Sequence, residues 1–192
     1  MTRADKILAL SVIVDTGCAP YYDMMPRLIK ERGYRKGIEI GVLFGGHAKA
    51  MLGNDCMRLL IGIDPYRIYE QEVVGIGDQS DFESVYAFAM ERLTSDRYLH
   101  IRMTSDEAYQ LLSADTRMFD FVFIDGLHTY EQIKKDLDHY GDLVRKGGVI
   151  ACHDYNHPDF PLLTVAIDQY ASEHNTEVIL GNFHAVYMDK TW

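Results

Sequence analysis

Apolar residues along this chain fall into short unbroken runs separated by longer stretches with helical spacing. The clearest run is Phe119, Phe121, Val122, Phe123 and Ile124, interrupted only by Asp120. So dense a cluster of aromatic and β-branched residues predicts a strand buried on both faces. Similar short runs predict strands at 37–41, 58–63, 98–103, 149–152, 177–180 and 184–188. Helices are predicted between them. One covers 21–32, with Pro26 near its start and Gly33 just past its end. Another covers 47–52. Ser80 with Glu83, Thr104 with Glu107 and Thr129 with Gln132 give three capping-box patterns. They open helices expected to run to Leu93, to Leu112 and to about Arg145, where Gly147 and Gly148 end the last. A final helix is expected over 162–174. Residues 5–17 fit a short helix capped by Asp5, and 66–79 show no period and suggest a surface loop or lid.

Strands that alternate with helices in this way predict an α/β fold: a Rossmann-like, doubly wound, mostly parallel sheet with helices on both faces. The closing strand–turn–strand adds one antiparallel strand. The length of 192 residues suits one domain over 1–192, with 1–33 as a helical segment packed on the core.

Composition narrows the function. The formal net charge of −10 and pI near 5.2 argue against a nucleic-acid partner and an anionic membrane surface. The three cysteines show no paired spacing, which disfavours a disulfide framework or a zinc site and makes a reducing cytoplasm the expected compartment. The apolar run 7–14 is too short to cross a bilayer. Asp15 follows it without a cleavage-type pattern, so a packed N-terminal element is expected rather than an export signal.

Chemistry concentrates where strands end. The first predicted strand runs into Glu39-Ile40-Gly41-Val42-Leu43-Phe44-Gly45-Gly46. This E-x-G-x-x-x-G-G spacing differs from the dinucleotide G-x-G-x-x-G. Its glycines still let backbone approach a ligand and open a helix. Glu39 would repel phosphate and suit an ammonium group. Asp64 closes the next strand, where a carboxylate can take both hydroxyls of a ribose. Asp125 and His128 end the central strand, and His153 with Asp154 ends the one after it.

The glycine turn, the acid after the second strand and the closing hairpin resemble the class I S-adenosylmethionine-dependent methyltransferases. The resemblance implies a seven-stranded sheet whose last strand is antiparallel. It places Glu39, Gly41 and Gly45 around the methionine part of S-adenosyl-L-methionine, Asp64 at the ribose, and Ser105 and Asp106 at the adenine, and it counts Gly46 and Asp125 among the cofactor-binding residues. His47 stands where relatives often carry Ser or Thr toward the methionine carboxylate.

In that topology the ends of strands four and five are neighbours. The D-x-x-H and G-G-x-x-x-x-H-D patterns resemble the metal-dependent O-methyltransferases of the catechol and of the bacterial sugar and macrolide types. The resemblance implies a divalent cation (Mg²⁺, Mn²⁺ or Ca²⁺) on Asp125, His153 and Asp154, with His128 as base. The chemistry requires such a pair, since a neutral hydroxyl is a poor nucleophile toward a sulfonium. A cation lowers its pKa and an imidazole accepts the proton. Histidine at 153, in place of an acid or amide, favours Mn²⁺ over Mg²⁺. The expected acceptor is a small hydroxyl compound. A short chain of this type also leaves room for a second copy of the chain to complete the pocket. Rival readings are a metal-independent methyltransferase of the same fold, an NAD-dependent oxidoreductase and a non-catalytic binding protein.

Overall fold

A computed structural model describes residues 2–68, 75–114 and 118–192. Seven strands form one sheet: β1 (Lys36–Ile40), β2 (Leu59–Ile63), β3 (Tyr98–Ile101), β4 (Phe119–Ile124), β5 (Val144–Cys152), β6 (Ile179–Leu180) and β7 (Val186–Asp189). Their order is β3-β2-β1-β4-β5-β7-β6. The first five strands are parallel, and β7 runs antiparallel to both β5 and β6. Among the described residues, seven helices flank the sheet: α1 (Arg3–Cys18), α2 (Met24–Arg32), α3 (Gly46–Leu52), α4 (Gln79–Arg92), α5 (Ser105–Leu112), α6 (Tyr130–Leu143) and α7 (Pro161–Glu173). None is long and apolar enough to cross a membrane.

The central strand explains the layering. Side chains of a strand alternate between faces. Val122 and Ile124 of β4 therefore join Ile38, Leu137, Tyr140 and Ile167 beneath α6 and α7. Phe121 and Phe123 point the other way and pack with Met25, Leu28, Ala48 and Met51 of α2 and α3. Each face is apolar, as the continuous run requires. Asp120, the single interruption, lies at the opposite end from the strand's chemistry. Its Oδ2 accepts the backbone N–H groups of Arg35 and Lys36 (2.6 and 2.8 Å), and its Oδ1 accepts from the Arg145 guanidinium (2.7 Å).

Three local expectations change. The capping box predicted from Ser80 is replaced by Asp78, whose carboxylate accepts the Asp81 N–H at 2.8 Å and starts the helix two residues earlier. The helix expected to reach Arg145 stops at Leu143, because Val144 already pairs with Phe119. Residues 144–148 then belong to β5, with a register irregularity between Phe119 and Phe121. The N-terminal segment forms one helix from Arg3 to Cys18, capped by Thr2 and Asp5 in a reciprocal box. The box at Thr104, and the Thr129 hydroxyl accepting the Gln132 N–H without the reciprocal bond, place α5 and α6 as predicted.

Helix α1 lies over α4. Ile7 packs with Phe44, Phe82 and Val85. Lys6 and Arg3 reach the Asp81 carboxylate at 2.5 and 3.2 Å, and Asp15 pairs with Arg92 at 2.8 Å. This seats the N-terminal segment across the carboxyl edge of the sheet.

Candidate active site

At the carboxyl ends of β1, β2, β4 and β5 lies a cavity of about 730 Å³. That size suits a cofactor-sized ligand, and the position is the one where open parallel sheets bind theirs.

Its floor is the glycine turn. Gly41 has φ +83°, and a Cβ there would lie 1.9 Å from the Asp125 carbonyl oxygen, so no other residue fits. The backbone thus comes close to the end of β4 and leaves the space above it open. The Asp64 carboxylate holds the turn in shape. Its Oδ2 accepts the N–H groups of Val42 and Leu43 at 3.0 Å each, and its Oδ1 accepts the Tyr66 N–H at 2.8 Å.

Glu39 is fully buried, with one oxygen 2.8 Å from His47 Nδ1. Burial pushes its carboxyl up, and the His47 contact opposes that. Glu39 Oε2 and His47 Nε2 are buried without a protein partner, two polar atoms oriented for something that chain atoms do not supply.

The residues expected around a cofactor divide into two groups. Glu39, Gly41, His47, Asp64, Ser105, Asp106 and Asp125 line the cavity, whereas Gly45 and Gly46 do not. Gly45 sits against Leu93, and Gly46 admits the close approach of Asp15 and Tyr22 from the N-terminal segment. Their smallness serves packing around α3 rather than the open space.

The far wall carries the charged cluster. His128 Nε2 lies 2.9 Å from Asp154 Oδ2 and 3.6 Å from Asp125 Oδ1. His153 Nδ1 lies 3.4 Å from Asp125 Oδ1 and 3.3 Å from Asp154 Oδ1. Asp154 reaches its place with φ +58°, a left-handed conformation that Asp tolerates better than most residues. Burial alone would raise both carboxyls and lower both imidazoles. The neighbouring opposite charges outweigh it. Asp154 is held down at about 2, and Asp125 lies below the usual carboxylate range. His128 is raised to about 9 and His153 to about 10. In this arrangement the two carboxylates favour the protonated form of both imidazoles. That differs from the free imidazole, with a pKa near 6.5, expected at position 128.

A divalent cation fits this set. Ligand atoms of Asp125, His128 and Asp154 all lie within 4.8 Å of one another, and two carboxylates with an imidazole are donors that Mn²⁺ accepts. The set that converges therefore contains His128. His153, expected as a ligand, faces the same carboxylates through Nδ1. Its ring packs on Tyr21 at 3.9 Å, and its Nε2 is buried without a protein partner.

Tyr21 is the residue that sequence reasoning missed. It lies between α1 and α2, is 5% exposed, and donates its hydroxyl to Asp125 Oδ2 at 3.2 Å. No local signal separates it from the adjacent Tyr22; only the folded-back N-terminal segment brings it to β4. Gln132 was expected only as a cap. Its amide also reaches Ser105 Oγ (3.1 Å), Asp106 (3.3 Å) and the buried Asp136 (3.1 Å), tying the cavity's Ser105 end to α6. Of the expected lid, Arg67 lines the cavity, while Tyr69 and the rest of 69–74 lie outside the described residues.

Comparison with known proteins gives the site a setting. A family model for a methyltransferase domain matches residues 38–155. An uncharacterized protein of Acanthamoeba polyphaga mimivirus is 33% identical over 120 residues, 62% of this chain; the match spans 50% of that protein's own length. An O-methyltransferase from Bacillus cereus in complex with SAH superposes with TM-score 0.64 at 15% identity, over 97% of this chain and 89% of that one. The O-methyltransferase TomG from Streptomyces achromogenes, solved in complex with SAM, gives 0.62 at 16% identity over 89% and 79%. The calicheamicin methyltransferase CalS11 gives 0.63 at 18% identity over 88% and 76%.

Proposed function

The chain belongs to the methyltransferase-domain family, and from that premise we propose that it transfers a methyl group from S-adenosylmethionine to a hydroxyl oxygen of a small molecule, with a divalent cation assisting. One observation carries this reading. Asp125, His128 and Asp154 converge on the wall of a cavity whose floor is a glycine turn shaped by Asp64.

The proposed roles follow from position. Asp64, Ser105 and Asp106 hold the ribose and adenine end of the donor. Glu39 and His47, each with an unused buried atom, hold the ammonium and carboxylate of its methionine. Asp125 and Asp154 would hold the cation, which when bound would lower the pKa of the acceptor hydroxyl, and His128, the third converging donor, serves as the base rather than as a ligand. Tyr21 keeps Asp125 turned toward the cluster through its hydrogen bond. His128 receives the acceptor's proton. That role requires relief from the carboxylates that raise its pKa, which a cation on Asp125 and Asp154 would supply by compensating their charge. The walls keep donor and acceptor in line, which supplies much of the rate of a bimolecular transfer.

The test is calorimetry with S-adenosylhomocysteine, NADH as the control, followed by methyl transfer to a panel of hydroxyl compounds with Mn²⁺ or EDTA. Binding of S-adenosylhomocysteine without NADH is expected. The reverse preference would make the chain a dehydrogenase-like protein and end the proposal. Replacing His128 by Ala should lower turnover by roughly a hundredfold or more.

The 2.9 Å pairing of His128 with Asp154 favours a second reading, in which Asp154 orients the imidazole and transfer needs no metal. Turnover undiminished by EDTA selects that reading.

A further inference from the structure

Helix α6 commits three successive turns to one serine. Gln132, Asp136 and Tyr140 stand four residues apart, so they share one face of the helix. All three meet Ser105, the first residue of α5. The Gln132 amide donates to Ser105 Oγ at 3.1 Å, and the Tyr140 hydroxyl donates to the Ser105 carbonyl at 2.7 Å. The Ser105 hydroxyl in turn donates to Asp136.

Seating α5 on α6 needs no charge among these groups. Yet Asp136 is 1% exposed, and its carboxyl, raised to about 6 by burial, is still an anion at neutral pH. A buried acid is costly where an amide or an apolar side chain would pack. The roles above leave it unused.

A carboxylate only accepts hydrogen bonds, so it fixes the direction of the hydrogens around it. The Gln132 amide hydrogens go to Asp136 Oδ1 (3.1 Å), Asp106 Oδ1 (3.3 Å) and Ser105 Oγ. The Thr104 hydroxyl donates to Glu107 Oε2 at 2.8 Å. Exposed Lys135 reaches Asp106 Oδ2 at 3.3 Å. Thr104, Ser105, Asp106 and Gln132 all line the cavity. With their hydrogens committed to one another, these four side chains have only lone pairs left for a ligand. Gln132 Oε1 is among them, and it accepts from no described residue. Arg67 lines the same cavity, but its charge acts on Glu107 rather than on this network.

We propose that Asp136 is a positioning residue for the base of the cofactor: through Gln132 and Ser105 it makes this end of the cavity a set of acceptors, which take the amino group of adenine and reject a base with a carbonyl oxygen in its place. The assignment rests on the methyl-transfer reading above, since it concerns the donor of that reaction. A 6-oxo base would set its oxygen against lone pairs, and the buried carboxylate keeps those lone pairs from being exchanged for hydrogens. In Asp136→Asn a donor, Nδ2, enters a place that held only acceptors, and the Ser105 hydrogen is released toward the cavity.

The test compares S-adenosylhomocysteine with S-inosylhomocysteine, its 6-oxo analogue, by calorimetry on the full chain at neutral pH. The unaltered protein should prefer the adenine compound by roughly thirtyfold or more. In Asp136→Asn that preference should fall about tenfold, the size expected when one misdirected hydrogen bond is relieved. Gln132→Leu, at a half-buried position in the first turn of α6, removes the Oε1 acceptor and should lower the preference about threefold or more. A preference in Asp136→Asn within about twofold of the unaltered protein's overturns the proposal. So does a loss of affinity equal for both compounds, the mark of a residue that only supports the fold. Should Asp136→Asn fail to fold, Gln132→Leu decides by the same two criteria. Absence of any preference in the unaltered protein also overturns it. Failure of S-adenosylhomocysteine to bind the unaltered protein is a separate outcome, which removes the methyl-transfer reading instead.

Discussion

Replacing Asp136 by Asn should stabilise this protein, and more so at higher pH. Asp136 lies on the inner face of α6 and is 1% exposed. Its Oδ1 accepts one hydrogen bond from Gln132 at 3.1 Å. Burial, with Asp106 adding to it, raises the carboxyl to about 6 against the hydrogen bonds from Ser105 and Gln132. The sign follows from linkage. An acid whose folded pKa exceeds its unfolded value of 3.8 binds more protons in the native state between those limits. Stability must therefore fall as pH rises through that window and level off above it. A separation of about 2 pKa units corresponds to roughly 3 kcal/mol for ionising the group in the folded chain at neutral pH. Asparagine keeps the acceptor for Gln132 and has nothing to ionise. Urea unfolding of both proteins at about pH 5 and about pH 7.5 reads the effect. The Asn variant should gain about 2 to 3 kcal/mol at the higher pH, and its advantage should be smaller by about 1 kcal/mol at the lower. An advantage that does not change with pH, or that shrinks as pH rises, would refute the reasoning.

Three further outcomes follow from the site. Gly41→Ala should cost upwards of about 2 kcal/mol in thermal or urea unfolding, because the new methyl meets the Asp125 carbonyl in a backbone closed to alanine. Tyr21→Phe removes the hydroxyl on Asp125. It should lower stability by about 1.5 to 3 kcal/mol by urea unfolding, the range for hydrogen bonds to charged groups, and weaken Mn²⁺ binding measured by calorimetry. Mn²⁺ itself should raise the melting temperature of the unaltered protein, since a ligand that binds only the folded state stabilises it. The rise should vanish in Asp125→Asn/Asp154→Asn, and a rise that persists there would move the cation elsewhere.

How much of this was written in the sequence depends on the range of the signal. The buried strand 119–124 was legible because a double-faced strand needs no partner to look apolar. The capping box at Thr104 and the Thr129 cap were legible because they close within four residues. The end of α6 was not, since Val144 leaves the helix for a pairing with Phe119, 25 residues upstream, that no local pattern announces. Asp64, Asp125, His128 and Asp154 line the cavity, and they could be singled out because polar residues ending apolar runs stand out. Gly45 and Gly46 looked like ligand glycines, yet the N-terminal segment and Leu93 fill the space beside them. Tyr21 comes from a distant segment, and only tertiary packing brings its hydroxyl to Asp125.

The seat of α1 across the sheet edge has a consequence for how the protein can be varied. The stretch that matches the family spans 38–155, yet Val14, Cys18, Tyr21 and Tyr22, which close one side of the cavity, all precede it. Reactive groups and enclosure are thus written in different parts of the chain. A fragment trimmed to the matched boundaries would keep the acids and the imidazoles and lose the wall that keeps water away from them. Conversely, exchanging residues 3–22 for the corresponding segment of a relative would reshape the chamber without touching a reactive side chain beyond it, which makes that segment a natural place to retune what the chamber admits.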